Sequence, residues 1–337
     1  MMGRARPAWL SISIFLLLAL VPLLAQAFNQ AYYITFLSRV LVFGLAAMSL
    51  NLLVGFGGMT SLGHAAFMGV GAYCVGLLMQ HGVGNGFVHF AAVMLLGALT
   101  ALLIGAICLR TGGLAFIMLT LAFAQLLFFI GTGLKQYGGD DGFSFRGRSD
   151  FGPLGSLSSE VSLYYFILAW LGFAALVLTR LVESRFGMAL RGIKGNEARM
   201  TSIGLHPYRY KLVAFVISGT LCAVAGALLA NLAQFVSPSY THWSRSAELL
   251  LMVLLGGMAS VLGPLAGAAA FLMLEEVLGH FTSHWQAPMG IVLMLTVMYA
   301  RNGLSDIGSL AAGLLLRFRR PSQPAPANSL PPTVEAP

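Results

Sequence analysis

Val88-His89-Phe90-Ala91-Ala92-Val93-Met94-Leu95-Leu96-Gly97-Ala98-Leu99-Thr100-Ala101-Leu102-Leu103-Ile104-Gly105-Ala106-Ile107-Cys108-Leu109 is a run of 22 residues without a formal charge, ended by Arg110. About 20 apolar residues in a helix match the hydrocarbon thickness of a bilayer. A helix of this length on a water-soluble protein would instead carry a polar face. The run therefore reads as a membrane span, and the pattern recurs on both sides of it. Between Arg39 and Lys135 the only charged residue is Arg110, and none occurs between Lys211 and Arg245 or between Glu276 and Arg301. Over 337 residues, 58% are hydrophobic and 9% charged, with mean hydropathy +0.84. A soluble domain carries charge on about a quarter of its positions. A soluble enzyme, a secreted disulfide scaffold and a disordered protein are excluded. The fold class is all-α, a polytopic transmembrane helical bundle.

Nine apolar stretches can be read, at about 10–28, 36–55, 59–80, 88–109, 113–133, 161–181, 211–232, 249–278 and 288–316. The first resembles a secretory signal, with Arg4 and Arg6 before it and Ala25-Gln26-Ala27 after it. Because further spans follow at once, an uncleaved first helix is expected. The net charge of +8 does not form a groove-sized patch, so no nucleic-acid partner is expected. Its basic residues sit in short connections, where Lys and Arg mark the cytoplasmic side. Cys74, Cys108 and Cys222 are far apart within apolar stretches. They lack metal-ligand spacing and read as small buried helix residues. The 40 glycines suit closely packed membrane helices.

The connections set an expected orientation. From Arg180 to Lys211, seven basic residues stand against Glu183 and Glu197, whereas 134–160 has three basic residues against four acidic ones. The first is therefore expected in the cytoplasm and the second outside. Six spans precede the basic loop, which puts the N-terminus and Arg110 inside as well. Nine single crossings would leave Arg317, Arg319 and Arg320 outside, against the same bias. Either 249–278 enters and returns, bent at Gly263-Pro264, or 288–316 is two short spans divided near Arg301-Asn302-Gly303. Interior proline kinks or breaks a helix, which favours the first. Eight to ten membrane helices are expected, some short or broken, with a cytoplasmic C-terminus. The membrane domain is expected over 1–320. Residues 321–337, with six prolines, are expected to form a disordered tail.

One motif is echoed. Gly57-Gly58-Met59-Thr60-Ser61 recurs as Gly256-Gly257-Met258-Ala259-Ser260. In transporters, glycine-interrupted apolar segments at matching places in two halves often mark a substrate path; abundant glycine would also produce such an echo by chance. Phosphate-binding loops, His-Glu-x-x-His and nucleophile elbows are missing, so neither catalysis nor a bound metal is expected. Polar groups within the apolar stretches are sparse: Asn51, His64 and Gln125, with Glu248, Glu275 and Glu276 near helix ends. Coupled carriers tend to place ionisable groups deep in the membrane. Their scarcity suggests that any driving force comes from a partner.

The basic loop is the candidate contact. Phe186, Leu190 and Ile193 fall on one helical stripe with arginines beside it. Asn196 is a good N-cap for a second short helix, Glu197 suits its positive end and Gly204 can end it. His206-Pro207 prevents easy continuation. Two short cytoplasmic helices follow, either a docking site or a membrane-surface decoration.

Leu50-Asn51-Leu52-Leu53-Val54-Gly55-Phe56-Gly57-Gly58-Met59-Thr60-Ser61-Leu62-Gly63-His64-Ala65-Ala66-Phe67-Met68-Gly69-Val70-Gly71-Ala72-Tyr73 resembles the signature of permeases for branched-chain amino acids in ABC importers, of the LivM type. The resemblance continues through Leu119–Phe123, Gly138–Gly142, Arg191–Lys211, Val236-Ser237-Pro238 and Leu254–Ser260 with Gly263-Pro264, covering roughly 36–304. It implies a permease in the cell inner membrane translocating leucine, isoleucine or valine. It also implies a second permease subunit, two ABC ATPase subunits that bind the ATP, and an external substrate-binding protein. The permease itself would hold no cofactor. Glu197, Ala198 and Gly204 are similar to the family's ATPase-docking element, with the departure that Arg199 stands at its third position. A substrate path would pass Ser61, Gly63, His64, Gly256, Gly257 and Ser260. His64 reads first as a neutral histidine joining two helices, with the substrate path as its functional alternative. A urea or short-amide permease, or a carrier or channel independent of ATP, would share this composition.

Overall fold

The computed structural model describes residues 15–22, 31–152, 157–281, 284 and 286–299. Arg4 and Arg6, the Ala25-Gln26-Ala27 pattern, the end of the last apolar stretch and the proline-rich 321–337 lie outside the described residues.

Eleven named helices follow one another after 15–22: α1 (Ala31–Asn51, extended by a π-helical segment Leu52–Gly57), α2 (His64–Gln80), α3 (Gly86–Cys108), α4 (Leu114–Gly133), α5 (Glu160–Glu183), α6 (Arg185–Gly195), α7 (Glu197–Ser202), α8 (Pro207–Ala233), α9 (Trp243–Gly256), α10 (Gly263–Phe281) and α11 (Gln286–Tyr299). Among the described residues five helices are long and apolar enough to cross a membrane: Tyr32–Gly57, Gly86–Cys108, Leu114–Gly133, Glu160–Glu183 and Pro207–Ala233. The bundle expected from composition is present. The short helix 15–22 is tied to α5 by the Tyr164 hydroxyl, which donates to the Leu18 carbonyl at 2.7 Å.

Burial follows from sequence. Helix α1 carries no charge after Arg39 and is apolar all round, so it can be enclosed by α5, α8, α9 and α10. Helix α4 leaves Leu114, Met118, Leu126, Phe129 and Ile130 exposed and presents a broad apolar face. Lipid tails are as apolar as leucine, so burial of apolar surface does not drive helices together in a membrane; close backbone approach does. Helices α2 and α8 meet through Gly71 against the Ala223 carbonyl and Gly226 against the Met68 carbonyl, where any side chain would overlap backbone.

The connections gather at two opposite ends. At one end, Gly57–Thr60, Leu109–Gly113 and Ile193–Glu197 surround a common cavity. At the other, Phe143–Ser144 (β1) pairs antiparallel with Phe235–Val236 (β2), Phe143 opposite Val236. There Asp150 also exchanges backbone hydrogen bonds with Gly84 and Gly86 at 2.9 and 2.7 Å. The basic loop and Arg110 thus share one end and 134–152 occupies the other, as charge had suggested.

Three boundaries differ from the sequence reading. The stretch read as 36–55 extends over Ala31–Gly57, and the one read as 59–80 starts only at His64. Gly58 at φ +69°, where L side chains are strained, turns the chain out of the helix and leaves 58–63 as a connecting break. The stretch read as 249–278 is two helices, α9 and α10, packed side by side. The chain turns at 257–262, with Gly257 at φ +94°, and not at Gly263-Pro264. Gly263-Pro264 begins α10 instead of bending it, because a proline in the first turn lacks only an amide that would have no helical partner.

Candidate coupling and translocation site

The basic loop forms the two short helices expected of it. Ser184 caps α6, its side chain accepting from Gly187 N, and Leu190 and Ile193 are buried while Phe186 stacks at 5.5 Å on Tyr210. Asn196 separates α6 from α7, and its Oδ1 accepts from Arg199 N at 2.9 Å. The Glu197 carboxylate lies at the first turn of α7 and accepts from Lys211 Nζ at 2.6 Å, its side chain 55% exposed. Ala198, Arg199 and Gly204 are exposed. Gly204 adopts φ +88°, and the turn closes with Gly204 N donating to Thr201 O at 2.9 Å and Leu205 N to Met200 O at 3.1 Å. Ile203 beside it is 67% exposed. Glu197, Ala198 and Gly204 thus lie on one short exposed segment.

The first glycine motif lies directly above this loop. After the π-helical segment, Met59 N donates to Leu53 O at 2.9 Å. Helix α2 then begins at His64, after the N-cap Gly63, which has no capping side chain. Its free amides find partners elsewhere: Ala65 N donates to Ser246 Oγ at 2.9 Å and Gly63 N to Ser61 Oγ at 3.2 Å. His64 is fully buried. Its Nδ1 lies 3.3 Å from Ser61 Oγ and its Nε2 2.8 Å from Ser218 Oγ, which in turn donates to the Ser49 carbonyl. Both ring nitrogens are therefore occupied in joining α1, α2 and α8, and Phe67 and Phe215 pack edge-on against the ring. Ser61, Gly63 and His64 do come together, as one inter-helix hydrogen-bonded cluster.

The second motif occupies the matching position between α9 and α10, and it is met by the helical segment that leads into the first. Asn51 Nδ2 donates to the Ser260 carbonyl at 3.0 Å. A side chain at Gly55 would meet the Met258 carbonyl at 2.5 Å. Gly256 packs against Gly263, and Asn51 Oδ1 and Ser260 Oγ are buried with no hydrogen-bond partner among the described residues. Both copies of the echoed motif are thus helix breaks, and the end of α1 with its π-helical extension, just before the first break, packs against the second. A polar cavity of about 280 Å³ opens below the first one, lined by Gly58, Thr60, Thr111, Gly113, Lys194 and Lys211, among others.

The sequence reading missed the residues that receive these groups: Ser218, Ser246, Thr120, which accepts from Leu62 N at 3.3 Å, and Lys194. Their signal is weak. Serine and threonine are ordinary in membrane helices, and Lys194 counts there only as one positive charge of a loop. Among the described residues no group of three His, Cys, Asp or Glu could hold a metal ion, and Cys74, Cys108 and Cys222 are buried free thiols.

A family model described as "Branched-chain amino acid transport system / permease component" matches residues 32–301. The chain is similar to the high-affinity branched-chain amino acid transport system permease protein LivM of Escherichia coli, at 28% identity over 288 residues, covering 78% of this chain and 68% of the relative. It is 24% identical over 322 residues to a probable branched-chain amino acid transport permease protein LivM of Methanocaldococcus jannaschii, covering 79% of this chain and 92% of that one. Among solved structures, PsaBC from Streptococcus pneumoniae in complex with Fab aligns at TM-score 0.36 and 15% identity, over 71% of this chain and 88% of that chain.

Proposed function

The chain belongs to the branched-chain amino acid transport permease family, and we propose that it is the membrane-spanning permease subunit of an ABC importer that brings leucine, isoleucine and valine across the inner membrane. In this reading ATP is bound and hydrolysed by two separate ATPase subunits, and the permease supplies neither a cofactor nor catalysis. A second permease subunit completes the pore and an external binding protein delivers the amino acid. The N- and C-termini and the 180–211 loop face the cytoplasm, and residues 1–320 form the membrane domain.

The observation that carries the reading is the placement of Glu197, Ala198 and Gly204. They lie on a short exposed segment fastened to the end of the bundle where the first glycine break opens. An ATPase gripping that segment would act on the break without entering the membrane. Ser61, Gly63, His64, Gly256, Gly257 and Ser260 then form the two facing breaks along which the substrate passes, and the serine–histidine cluster holds the first of them in register.

Reconstitution in vesicles tests this. The permease pair with its ATPases and binding protein takes up leucine, isoleucine or valine only when ATP is present, and the purified chain alone takes up none. Uptake by the chain alone under a proton or sodium gradient would refute the proposal. A partner binding protein that binds urea and ignores leucine would refute the substrate.

A further inference from the structure

Lys194 closes α6, and its side chain turns back towards the membrane helices. Its ammonium donates to the Gly55 carbonyl at 2.6 Å. That carbonyl lies at the end of the π-helical segment, where the chain leaves the helix and the last carbonyls lose their helical donors. The stem of Lys194 lies over Gly58, where an added Cβ would meet its Cγ at 2.7 Å. Gly55 faces the Met258 carbonyl of the second break, and Asn51, one turn earlier, donates to Ser260 O at 3.0 Å. A short chain of directional contacts therefore runs from the loop to both breaks. The other side chains that α6 turns to the bundle, Phe186, Ala189, Leu190 and Ile193, make apolar contacts that can slide. Arg191 directs its guanidinium to the Val182 and Gly187 carbonyls, on α5 and α6 themselves.

We propose that Lys194 is the positioning residue that carries movement of the docked ATPases to the two glycine breaks. It pulls on the Gly55 carbonyl while its stem holds Gly58 in the left-handed turn. This rests on the reading that α6 and α7 meet an ATPase.

The test uses the complete reconstituted importer and reads complex assembly, basal ATP hydrolysis and amino acid transported per ATP hydrolysed. Lys194→Met keeps the stem and removes the donors. It is expected to assemble and hydrolyse ATP like the parent, and to lower transport per ATP by about tenfold or more, the equilibrium equivalent of one hydrogen bond to a charged group. Lys194→Arg restores most of the ratio. Gly58→Ala, which displaces the stem and strains the left-handed turn without altering charge, lowers it again. Coupling unchanged in Lys194→Met overturns the inference, and so does a parallel fall in assembly, hydrolysis and transport, the mark of a merely structural lysine. Normal assembly and coupling in Glu197→Lys would instead overturn the docking reading beneath it.

Discussion

Gly204→Val is the sharpest test of the coupling segment, because its cost is confined to one pair of backbone angles. Gly204 sits at φ +88°, and nothing lies within 4 Å of the place a Cβ would take. Steric overlap with neighbours therefore plays no part. What remains is the conformational penalty for an L residue in left-handed space, about 1–2 kcal/mol and greatest for β-branched side chains. That shifts the equilibrium away from the present turn by about 5–30-fold. The bonds from Gly204 N to Thr201 O and from Leu205 N to Met200 O would open with it, and the chain from α7 into Pro207 would leave in a new direction. The core is not touched, so the variant should insert and resist heat like the parent. Substrate-stimulated ATP hydrolysis and coupled uptake should fall by about the same 5–30-fold. Gly204→Asn is the control, since asparagine tolerates the left-handed region, and it should lose much less. Equal coupling in the valine variant and the parent, or equal losses for valine and asparagine, would refute the reasoning.

Glu197→Lys removes the partner of Lys211 and puts positive charge at the start of α7. With the carboxylate more than half exposed, the direct cost is below about 1 kcal/mol. Binding of ATPase subunits to the permease should weaken more at low than at high ionic strength, and a salt-independent effect in co-purification would count against a charge origin. Gly226→Val forces a side chain into the Met68 backbone and should lower the melting temperature of the detergent-solubilised chain more than Gly279→Val, whose position is open; equal shifts would contradict the close α2–α8 crossing. His64→Leu leaves Ser61 and Ser218 short of a partner, and inter-helix bonds of this kind contribute about 0.6–2 kcal/mol in membranes. Thermal stability should fall modestly and His64→Gln should recover part of it, whereas an unchanged melting curve would remove His64 from the helix contact.

Much of this architecture is legible without coordinates because the bilayer imposes length and composition directly. Charge-free runs of about 20 residues must be spans, and clustered lysine and arginine must be connections. The loop helices were readable for a similar reason: Asn196, Glu197 and Gly204 each satisfy a local backbone need within a few residues. Helix ends that depend on distant partners were not readable. Residues 59–63 are uncharged and run straight into an apolar stretch, yet they form a break because Gly58 turns left-handed and Ser246, far along the chain, caps the next helix. Gly263-Pro264 looks like a bend and is a helix start.

The sequence alone determined the membrane bundle, the two charged ends and the two short loop helices, since each follows from solvent and from neighbours along the chain. Tertiary structure decided what the echoed glycine motifs and the polar residues near them do. Asn51 meets Ser260, His64 meets Ser218, and Lys194 meets Gly55 across 209, 154 and 139 positions. A hydrogen bond depends on atoms coming within about 3 Å, and no local propensity states which helix will bring them there.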